Sequence, residues 1–597
     1  MVSPIRRMWT GMGDQRRELT LAAFTGLLAS ASAVALLGTS AWLISMASTM
    51  PPVLDLSVAA VCVRAFALGR AVFRYAERLL GHDAAFRGLT SLRVEIFERL
   101  ERLAPVGLQR FARGDVLTRL VGDVDAALDL PLRIVLPWVQ TVLVAIGTVA
   151  YIAWLVPNSG LLVGVVALFG VTIAPWAVGA LASRAERSIA PAKADMSAAV
   201  VSALEATADL SAFDRVADAT AHVATIDDRV TALTRRSAAA LGIGSMVTVA
   251  LQGMAVVGSL ALTIPRVTSG ELQPVWLAVA ALLPLALFEV IGTLPSSALA
   301  LQRLRGSAQR IAELEALPDP VPEPSAPVAV PAGFEGLTLR AVSASWTGGP
   351  RSLDSISLAV APGDRVAVVG PSGAGKSTLV SVLSAFLGYE GSYSLNGVEV
   401  STATGDDIRQ HIGVLAQRAH VFDTTIAENV GLGRPDVTED RIWAALEQAQ
   451  LADAVRAMSD GLQTQVGSFG TSISGGEAQR LALARFLVDP KPVLILDEPT
   501  EHLDGRTARA LTDTIRAITR DLTCIEVTHR LTTLAAEDRV VVLDAGRIVA
   551  TGTVAELADQ PGWFAERLAA ERLEADMADL IDRLPVGVGV RRDRSET

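Results

Sequence analysis

The sequence predicts a chain in two parts, an α-helical transmembrane domain of six helices followed by an α/β domain built around a phosphate-binding loop. Composition is the first observation behind this prediction: mean hydropathy is +0.41 and 51% of the 597 residues are hydrophobic. Such a chain is too long for one domain and too apolar to be wholly soluble. The second observation is the glycine-rich stretch Gly370–Ser377, which follows the strand-like run Arg365–Val369 and precedes the helix-like run Thr378–Phe386.

Six apolar segments are long enough to cross a bilayer, for which a helix needs about 20 residues. The segments lie at about residues 19–47, 57–79, 131–155, 159–183, 237–264 and 274–300. The connections at 81–130 and 184–236 are long and charged, which predicts helices that extend into the cytoplasm. Four arginines between residues 6 and 17 precede the first span. By the positive-inside rule they place the amino terminus in the cytoplasm, so six spans leave the second domain there too.

A proline-rich linker at 317–332 separates the two domains. We therefore expect a transmembrane domain at 1–316 and a nucleotide-binding domain at 333–565. Residues 566–597 are expected to form a C-terminal helix followed by a mobile tail. Together these features predict a multi-pass protein of the inner, cytoplasmic membrane.

The glycine-rich loop is predicted to bind ATP, because backbone N–H groups in such a loop curl around the phosphates. Lys376 supplies a positive charge to the phosphates, and the Ser377 hydroxyl is placed for Mg²⁺. The complete set predicted here is Gly370, Ser372, Gly373, Ala374, Gly375, Lys376, Ser377 and Thr378. Farther along, a buried, strand-like run at 493–496 delivers two carboxylates, Asp497 to hold Mg²⁺ and Glu498 to polarise the attacking water.

Between these motifs lies Ile473–Glu477, whose serine-glycine-glycine turn resembles the LSGGQ signature of ABC-type ATPases. The resemblance implies a set of residues that act on ATP held by a partner subunit, namely Ser474, Gly475, Gly476 and Glu477. Six helices ahead of one such ATPase resemble half of a transporter with the ABC exporter fold. In that family each ATP lies between the phosphate loop of one subunit and the signature of the other. The chain therefore needs a second copy or a homologous partner.

Further positions match the same family one by one. Gln417 resembles the glutamine that contacts Mg²⁺, so it joins Ser377 and Asp497 as a third predicted magnesium ligand. Trp346 resembles the aromatic residue that stacks on adenine, and His529 the switch histidine that contacts the γ-phosphate. Taken singly, a core tryptophan and a surface histidine would be the ordinary interpretations of these two. Their occurrence in order along the chain favours functional roles and competent ATP hydrolysis.

The second predicted span is unusual because ionisable residues lie in it or just beyond it, namely Arg64, Arg70, Arg74, Glu77, Arg78 and His82. Ionisable groups at that depth are costly unless they face a water-filled cavity or a ligand. Four of them, from Arg70 to His82, recur every four residues and so form one stripe on a helix. Such a stripe suits an anionic cargo. The ordinary alternative is that spans end in basic residues and that Glu77 pairs with Arg74.

Local sequence at Gly38–Ser45, Arg74–Arg78 and Gly81–Asp83 resembles CydC, one subunit of the heterodimeric CydDC transporters. Glu477 in the signature agrees with this resemblance, as does Glu501 in a segment, 501–504, that resembles the D-loop. The resemblance implies a CydD-like partner and a transporter required for the assembly of cytochrome bd oxidase. It also implies haem b bound in the membrane domain, as ligand or cargo.

By the same resemblance the haem is expected at His82, with Arg78 one helical turn earlier. Arg74 and Tyr75 are secondary candidates. The chemistry is reasonable, because a neutral imidazole can ligate haem iron and a guanidinium can pair with a propionate.

Two other functions remain open. The family has also been viewed as exporting cysteine and glutathione to the periplasm, and anionic glutathione would use the same arginines while His82 served a structural or sensing role. A homodimeric lipid or drug exporter would instead predict a cavity dominated by aromatic and aliphatic residues. Aromatic residues are only 5% of the chain, which argues against that option.

A formal charge of −11 without a basic stripe argues against nucleic acid as a partner. Cys62 and Cys524 offer no disulfide or zinc site.

Overall fold

The computed structural model describes residues 4–11, 13, 15–108, 111, 113–346, 349–417, 420–434, 436–467, 473–499, 505–520, 522–535 and 538–583. The chain divides into two compact units, of which the first is Met1–Leu103 with Leu108–Pro318. The second is Asp319–Thr597 with the short segment Ala104–Gly107. The division between the two units lies within the proline-rich segment 317–332.

Helices build the first unit. Their bounds are α1 Pro4–Gly11, α2 Arg16–Ala47, α3 Val53–Leu103, α4 Arg113–Thr118, α5 Leu136–Leu155, α6 Pro157–Glu205, α7 Thr207–Ala212, α8 Val216–Thr268, α9 Val275–Ile291 and α10 Leu294–Glu315. Within the described residues, six stretches are long and apolar enough to cross a membrane, namely Arg16–Ala47, Val53–Leu103, Gly114–Leu155, Pro157–Glu205, Val216–Thr268 and Val275–Glu315. Each overlaps one predicted segment, so the prediction of six spanning helices is confirmed.

Small residues pack the membrane helices together. On α2 the buried positions are Ala22, Gly26 and Ala29, whereas Leu21 and Phe24 are more than half exposed. Because lipid tails are as apolar as leucine, burying large side chains between membrane helices gains little, and small residues let the backbones approach closely. Small residues thus occupy most of the buried face of α2, although Val34 is buried there as well.

Three helices are much longer than a membrane is thick. Helices α3, α6 and α8 contain 51, 49 and 53 residues. At 1.5 Å per residue each is about 75 Å long, against a hydrocarbon core of roughly 30 Å. The long charged connections predicted from the sequence are therefore helical extensions of the spans.

A buried ion pair fixes an irregular stretch between α4 and α5. This stretch contains two π-helical turns, Arg119–Asp123 and Leu130–Val135. The carboxylate of Asp123 is buried and accepts hydrogen bonds from Nε and Nη2 of Arg310 on α10, the first at 2.8 Å. Arg119 adds a hydrogen bond from Nη1 to the backbone oxygen of Arg310, also at 2.8 Å. These contacts tie the irregular stretch to α10.

The second unit is built on two sheets among its described strands. The strands are β1 Leu337–Ser345, β2 Arg351–Val360, β3 Arg365–Val369, β4 Glu390–Leu395, β5 Val398–Glu399, β6 Ile412–Leu415, β7 Val493–Asp497, β8 Thr523–Val527, β9 Arg539–Asp544 and β10 Arg547–Thr553. The smaller sheet is antiparallel with the order β2-β1-β4-β5, and the larger has the order β10-β9-β3-β8-β7-β6. In the larger sheet only the β9–β10 pair is antiparallel.

Helices cover the larger sheet and complete the hydrophobic cores. They are α11 Lys376–Leu383, α12 Gly405–His411, α13 Ile426–Val430, α14 Glu439–Gln448, α15 Ala452–Ala457, α16 Gly475–Val488, α17 Gly505–Ile518, α18 Val554–Ala558 and α19 Trp563–Arg583. Strands β3, β7 and β8 are buried on both faces. Apolar runs in β3 and β7 fit this burial, whereas β8 also buries Thr523 and Glu526. Because these strands are parallel neighbours, their carboxyl ends meet at one edge of the sheet.

Removing the Asp123 carboxylate should destabilise the membrane unit. In Asp123→Ala the guanidinium of Arg310 loses its buried partner, which costs roughly 3 kcal/mol. We expect a clearly lower apparent melting temperature for the detergent-purified protein. The matched control is Asp218→Ala, which removes an exposed ion pair with Arg215 and should cost about 0.5 kcal/mol or less. Equal melting temperatures for the two variants would contradict a structural role for the buried pair.

Candidate functional site

Strand β3 delivers the predicted phosphate loop to the carboxyl edge of the sheet. Gly370, Gly373 and Gly375 have φ angles of +153°, +81° and +105°, which side-chain-bearing residues rarely adopt. A Cβ atom on Gly370 would lie 2.0 Å from the backbone oxygen of Leu543, and one on Gly375 would lie 2.5 Å from that of Ser352. Both positions therefore require glycine for space as well as for conformation.

The loop fits an anion such as the triphosphate of ATP. It leads directly into the amino terminus of α11, where backbone N–H groups lack helical partners. A Cβ atom on Gly373 would meet nothing within 4 Å, so the middle of the loop is open. The ammonium of Lys376 donates to the backbone oxygens of Gly370 at 2.9 Å and Pro371 at 3.2 Å, which holds the charge at the loop. Oxygen donors on Ser377 and Asp497 are the ligand type that Mg²⁺ prefers.

Trp346 and Thr378 contact each other beside this loop. The indole Nε1 donates a hydrogen bond of 3.0 Å to the hydroxyl oxygen of Thr378. The indole is half-buried against the core, whereas Thr378 is buried. The structure therefore brings the predicted adenine-stacking residue to the phosphate loop. The Thr378 hydroxyl accepts from the indole and keeps its own O–H as a donor.

Three predicted residues meet at the end of β7. One carboxylate oxygen of Glu498 accepts a hydrogen bond of 3.2 Å from Nε2 of Gln417, and the other lies 3.5 Å from Nδ1 of His529. The backbone N–H of Glu498 donates to Val527 on β8 at 2.9 Å. Its φ angle of +50° is uncommon for a residue with a side chain, and such strain clusters at functional sites. The sheet thus holds one carboxylate between an amide and an imidazole.

The signature turn forms the start of α16. The Ser474 hydroxyl caps the helix by accepting from the N–H of Glu477, and the Glu477 carboxylate accepts from the N–H and hydroxyl of Ser474, both at 2.7 Å. This reciprocal capping box lowers the pKa of Glu477, first through the backbone N–H and then through the hydroxyl. Gly475 and Gly476 open the helix behind the cap. The D-loop prediction at 501–504 lies outside the described residues.

A polar cavity of about 800 Å³ lies in the membrane unit. The predicted stripe of Arg70, Arg74, Arg78 and His82 lines this cavity, together with Glu77. Residues elsewhere in the unit complete the polar lining, namely Ser30, Asp125, Asp129, Arg133, Gln140, Thr141, Glu289 and Thr293. The sequence prediction that these groups face a cavity is consistent with this geometry, and the cavity carries both signs of charge.

Two predicted residues on α3 do not line the polar cavity. Tyr75 follows Arg74 directly, and consecutive residues on a helix are rotated by about 100° from each other. Its side chain is 70% exposed and is absent from the cavity lining, as is that of Arg64. The side chain of Tyr75 thus lies outside the lining of the polar cavity, and its role as a secondary haem candidate stays a prediction.

Hydrogen bonds fix the orientation of the groups that do line the cavity. Nδ1 of His82 lies 2.8 Å from the backbone oxygen of Arg78. Since a carbonyl oxygen only accepts, Nδ1 carries the proton in the neutral ring and Nε2 keeps a free lone pair. The Glu77 carboxylate accepts from Arg74 at 3.1 Å and from Gln140 at 2.6 Å. The Arg74–Glu77 pair expected from the ordinary alternative is therefore present.

Gly26 makes room for the polar contacts of Glu77. A Cβ atom on Gly26 of α2 would lie 2.0 Å from Nε2 of Gln140 and 2.8 Å from the carboxyl carbon of Glu77. Three membrane helices, α2, α3 and α5, therefore meet around one buried hydrogen bond. On another side of the cavity, Arg70 lies 4.0 Å from Glu289 of α9.

A second cavity in the membrane unit is apolar. Its volume is about 590 Å³, and its lining includes the aromatic residues Trp42, Phe66, Tyr151 and Trp276. The low overall aromatic content was thus a poor guide to the cavities, because four aromatic side chains meet at this one cavity.

Several cavity residues were not predicted from the sequence. Gln140 and Glu289 are polar residues within otherwise apolar helices, which is the same signal that marks the polar residues of the second span. Asp129 and Arg133 lie in the irregular stretch between α4 and α5, and no motif marks them.

Comparisons with known proteins agree with both units. The family described as the ABC transporter transmembrane region matches residues 19–288, and the family described as ABC transporter matches residues 353–501. The glutathione/L-cysteine transport system ATP-binding/permease protein CydD of Bacillus subtilis is 30% identical, over 91% of this chain and 94% of its own length. The CydC protein of the same description from Escherichia coli is 29% identical, over 92% and 96%.

Among solved structures, a bacterial Atm1-family ABC exporter with ATP bound superimposes with a TM-score of 0.82 at 25% identity. The match covers 94% of this chain and 98% of that one. The predicted exporter fold and the predicted ATP-driven transport are therefore confirmed.

Two substitutions should separate ATP binding from ATP hydrolysis. Lys376→Ala removes a charge-assisted contact to phosphate, worth roughly 1.5–3 kcal/mol, so ATP affinity should fall at least about tenfold. Glu498→Gln should keep that affinity but lose the base, slowing hydrolysis by roughly 10²–10⁴-fold. Equilibrium binding of labelled ATP and steady-state phosphate release measure the two effects. The control is Lys491→Ala, which removes an ammonium that pairs with Asp489. This variant should leave both ATP affinity and ATP hydrolysis unchanged. Hydrolysis by Glu498→Gln at the parent rate would contradict the role of this carboxylate.

Proposed function

This chain belongs to the family of exporter-type ABC half-transporters, and on that basis we propose that it is the CydC-like subunit of a heterodimeric transporter. Its relatives include a CydD and a CydC of nearly equal identity, so overall similarity does not separate the two subunit types. The segments Arg74–Arg78 and Gly81–Asp83, which resemble CydC, support the choice of subunit. The partner is then a CydD-like half whose signature completes this chain's ATP site.

The proposed hydrolytic mechanism divides the work of binding and hydrolysis among the polar groups at the sheet edge. The loop N–H groups and Lys376 bind the phosphates, and Glu498 orients and polarises the attacking water. Gln417 and His529 hold the two oxygens of that carboxylate, so its orientation is fixed before the substrate arrives. Mg²⁺ held by Ser377, Gln417 and Asp497 would neutralise phosphate charge. Ser474 and its capping box present the signature to the ATP of the partner.

The cargo proposed first is a small thiol that carries carboxylates and an ammonium group, such as glutathione or cysteine. The observation that carries this proposal is the polar cavity, whose arginines can pair with carboxylates while Glu289 and Asp129 can accept from an ammonium. The CydC and CydD relatives are described as glutathione/L-cysteine transport proteins, which supports it. Reduced thiols would be exported across the inner membrane, with the amino terminus and the ATPase in the cytoplasm.

Haem b is the second candidate, as ligand or cargo, and with it a role in cytochrome bd oxidase assembly. The specific observation that favours it is that His82 lines the polar cavity while its Nδ1 is hydrogen-bonded to the Arg78 oxygen, so the lone pair of Nε2 stays available to a ligand. Arg78 and Arg74 line the same cavity and could pair with propionates. His82 and Arg78 would therefore hold the haem, whose iron would supply the colour and any redox chemistry.

A cavity arginine should control the response to thiol cargo. In Arg70→Gln we expect the glutathione concentration for half-maximal ATPase stimulation to rise about tenfold, because one charge-assisted contact is lost. The complex with its CydD-like partner would be assayed in nanodiscs. The matched control is Arg64→Gln, on the same helix but outside the cavity lining. No stimulation of the parent complex by glutathione or cysteine would count against thiol transport.

Haem binding is tested by the visible spectrum of the same complex. If haem is bound, the Soret band should disappear in His82→Ala and persist in His222→Ala, which replaces an exposed histidine of α8. An unchanged haem content in His82→Ala would rule out His82 as the ligand. A colourless parent complex would leave thiol transport as the remaining candidate.

A further inference from the structure

The C-terminal helix α19 carries a buried carboxylate that contacts the loop after His529. Glu571 is only 8% exposed. Its Oε2 accepts hydrogen bonds from the backbone N–H groups of Leu531 at 2.7 Å and Thr532 at 3.1 Å. Its Oε1 accepts from Nε of Arg567, one helical turn earlier, at 3.1 Å. A buried carboxylate is costly unless it is paired in this way, so these contacts are specific.

The two N–H groups belong to a short helical turn. Residues Leu531–Thr533 form a 3₁₀ turn that begins two residues after His529. The first N–H groups of any helical turn lack partners within it, and a side chain usually caps them from the preceding residue. At Arg530, which precedes the turn, no side-chain cap is formed. Glu571 supplies that cap from a distant part of the chain.

Packing sets the position of the Glu571 carboxylate. On α19, Phe564 and Leu568 are 4% and 3% exposed, within one hydrophobic cluster that also contains Leu531 and Val369. Val369 is the last residue of β3, directly before the phosphate loop. The other end of the turn is held as well, because Arg516 donates to the backbone oxygen of Thr533. The helix is therefore fixed to the same part of the sheet as the ATP site.

We propose that Glu571 is a positioning residue for His529, so that the C-terminal helix controls ATP hydrolysis through this loop. The inference rests on the proposed role of His529, which is to hold one oxygen of the Glu498 carboxylate. The imidazole lies 3.5 Å from Glu498, a distance at the limit of direct interaction, and a small shift of the loop removes it. Glu571 itself touches neither the nucleotide loop nor Glu498, and its effect passes through the backbone of Leu531 and Thr532.

The test compares Glu571→Ala and Glu571→Gln in the full complex with the CydD-like partner. For Glu571→Ala we expect kcat for ATP hydrolysis to fall about tenfold while KM and the equilibrium affinity for ATP stay within about twofold. Glutamine retains one acceptor oxygen, so Glu571→Gln should recover part of the loss. The matched control is Glu574→Gln, an exposed position on the same helix, which should leave kcat unchanged. Hydrogen exchange at the amides of Leu531 and Thr532 should be faster only in the Glu571 variants.

A parallel measurement on His529→Ala separates the two levels of the proposal. If His529→Ala is slow but both Glu571 variants keep the parent kcat and lose only melting temperature, Glu571 is structural and the inference is overturned. If His529→Ala hydrolyses ATP at the parent rate, the proposed role of the histidine fails, and the inference fails with it. Should Glu571→Ala not fold, the kcat of Glu571→Gln against Glu574→Gln decides: a selective loss supports the inference and equality overturns it.

Discussion

Parallel pairing of β3, β8 and β7 is the constraint on which the ATP site depends. Since β8 lies between the other two, the phosphate loop, His529 and Glu498 leave the sheet at one edge although they are far apart in sequence. The backbone N–H of Glu498 donates a hydrogen bond to Val527, which fixes that edge at a residue with a positive φ angle. The remaining contacts at the site, from Gln417 to the cap on the turn after His529, are arranged around this backbone.

A different constraint governs the membrane unit, because a bilayer offers polar groups no water. Polar groups there pair with one another: the Glu77 carboxylate accepts hydrogen bonds from Arg74 and Gln140. Arg78 and His82 are among the residues that line the polar cavity. A second cavity in the same unit is apolar.

Features formed by continuous stretches of sequence could be predicted, whereas contacts between distant segments could not. The phosphate loop, the strand ending in Asp497 and the six spans are continuous patterns, and periodicity or spacing identifies each. Motifs predict Gln417 and Glu498 separately, but no pattern predicts that the two side chains are hydrogen-bonded to each other. The capping of Leu531 by Glu571 joins distant segments, and no pattern marks either residue.

The central claim is that this chain, with a CydD-like half, moves a small anionic thiol at the expense of ATP. The most direct measurement is uptake of labelled glutathione into inside-out proteoliposomes that contain both halves. The account predicts uptake that requires ATP and both subunits. Vigorous ATP hydrolysis by the complete complex with no accumulation of glutathione or cysteine would contradict it.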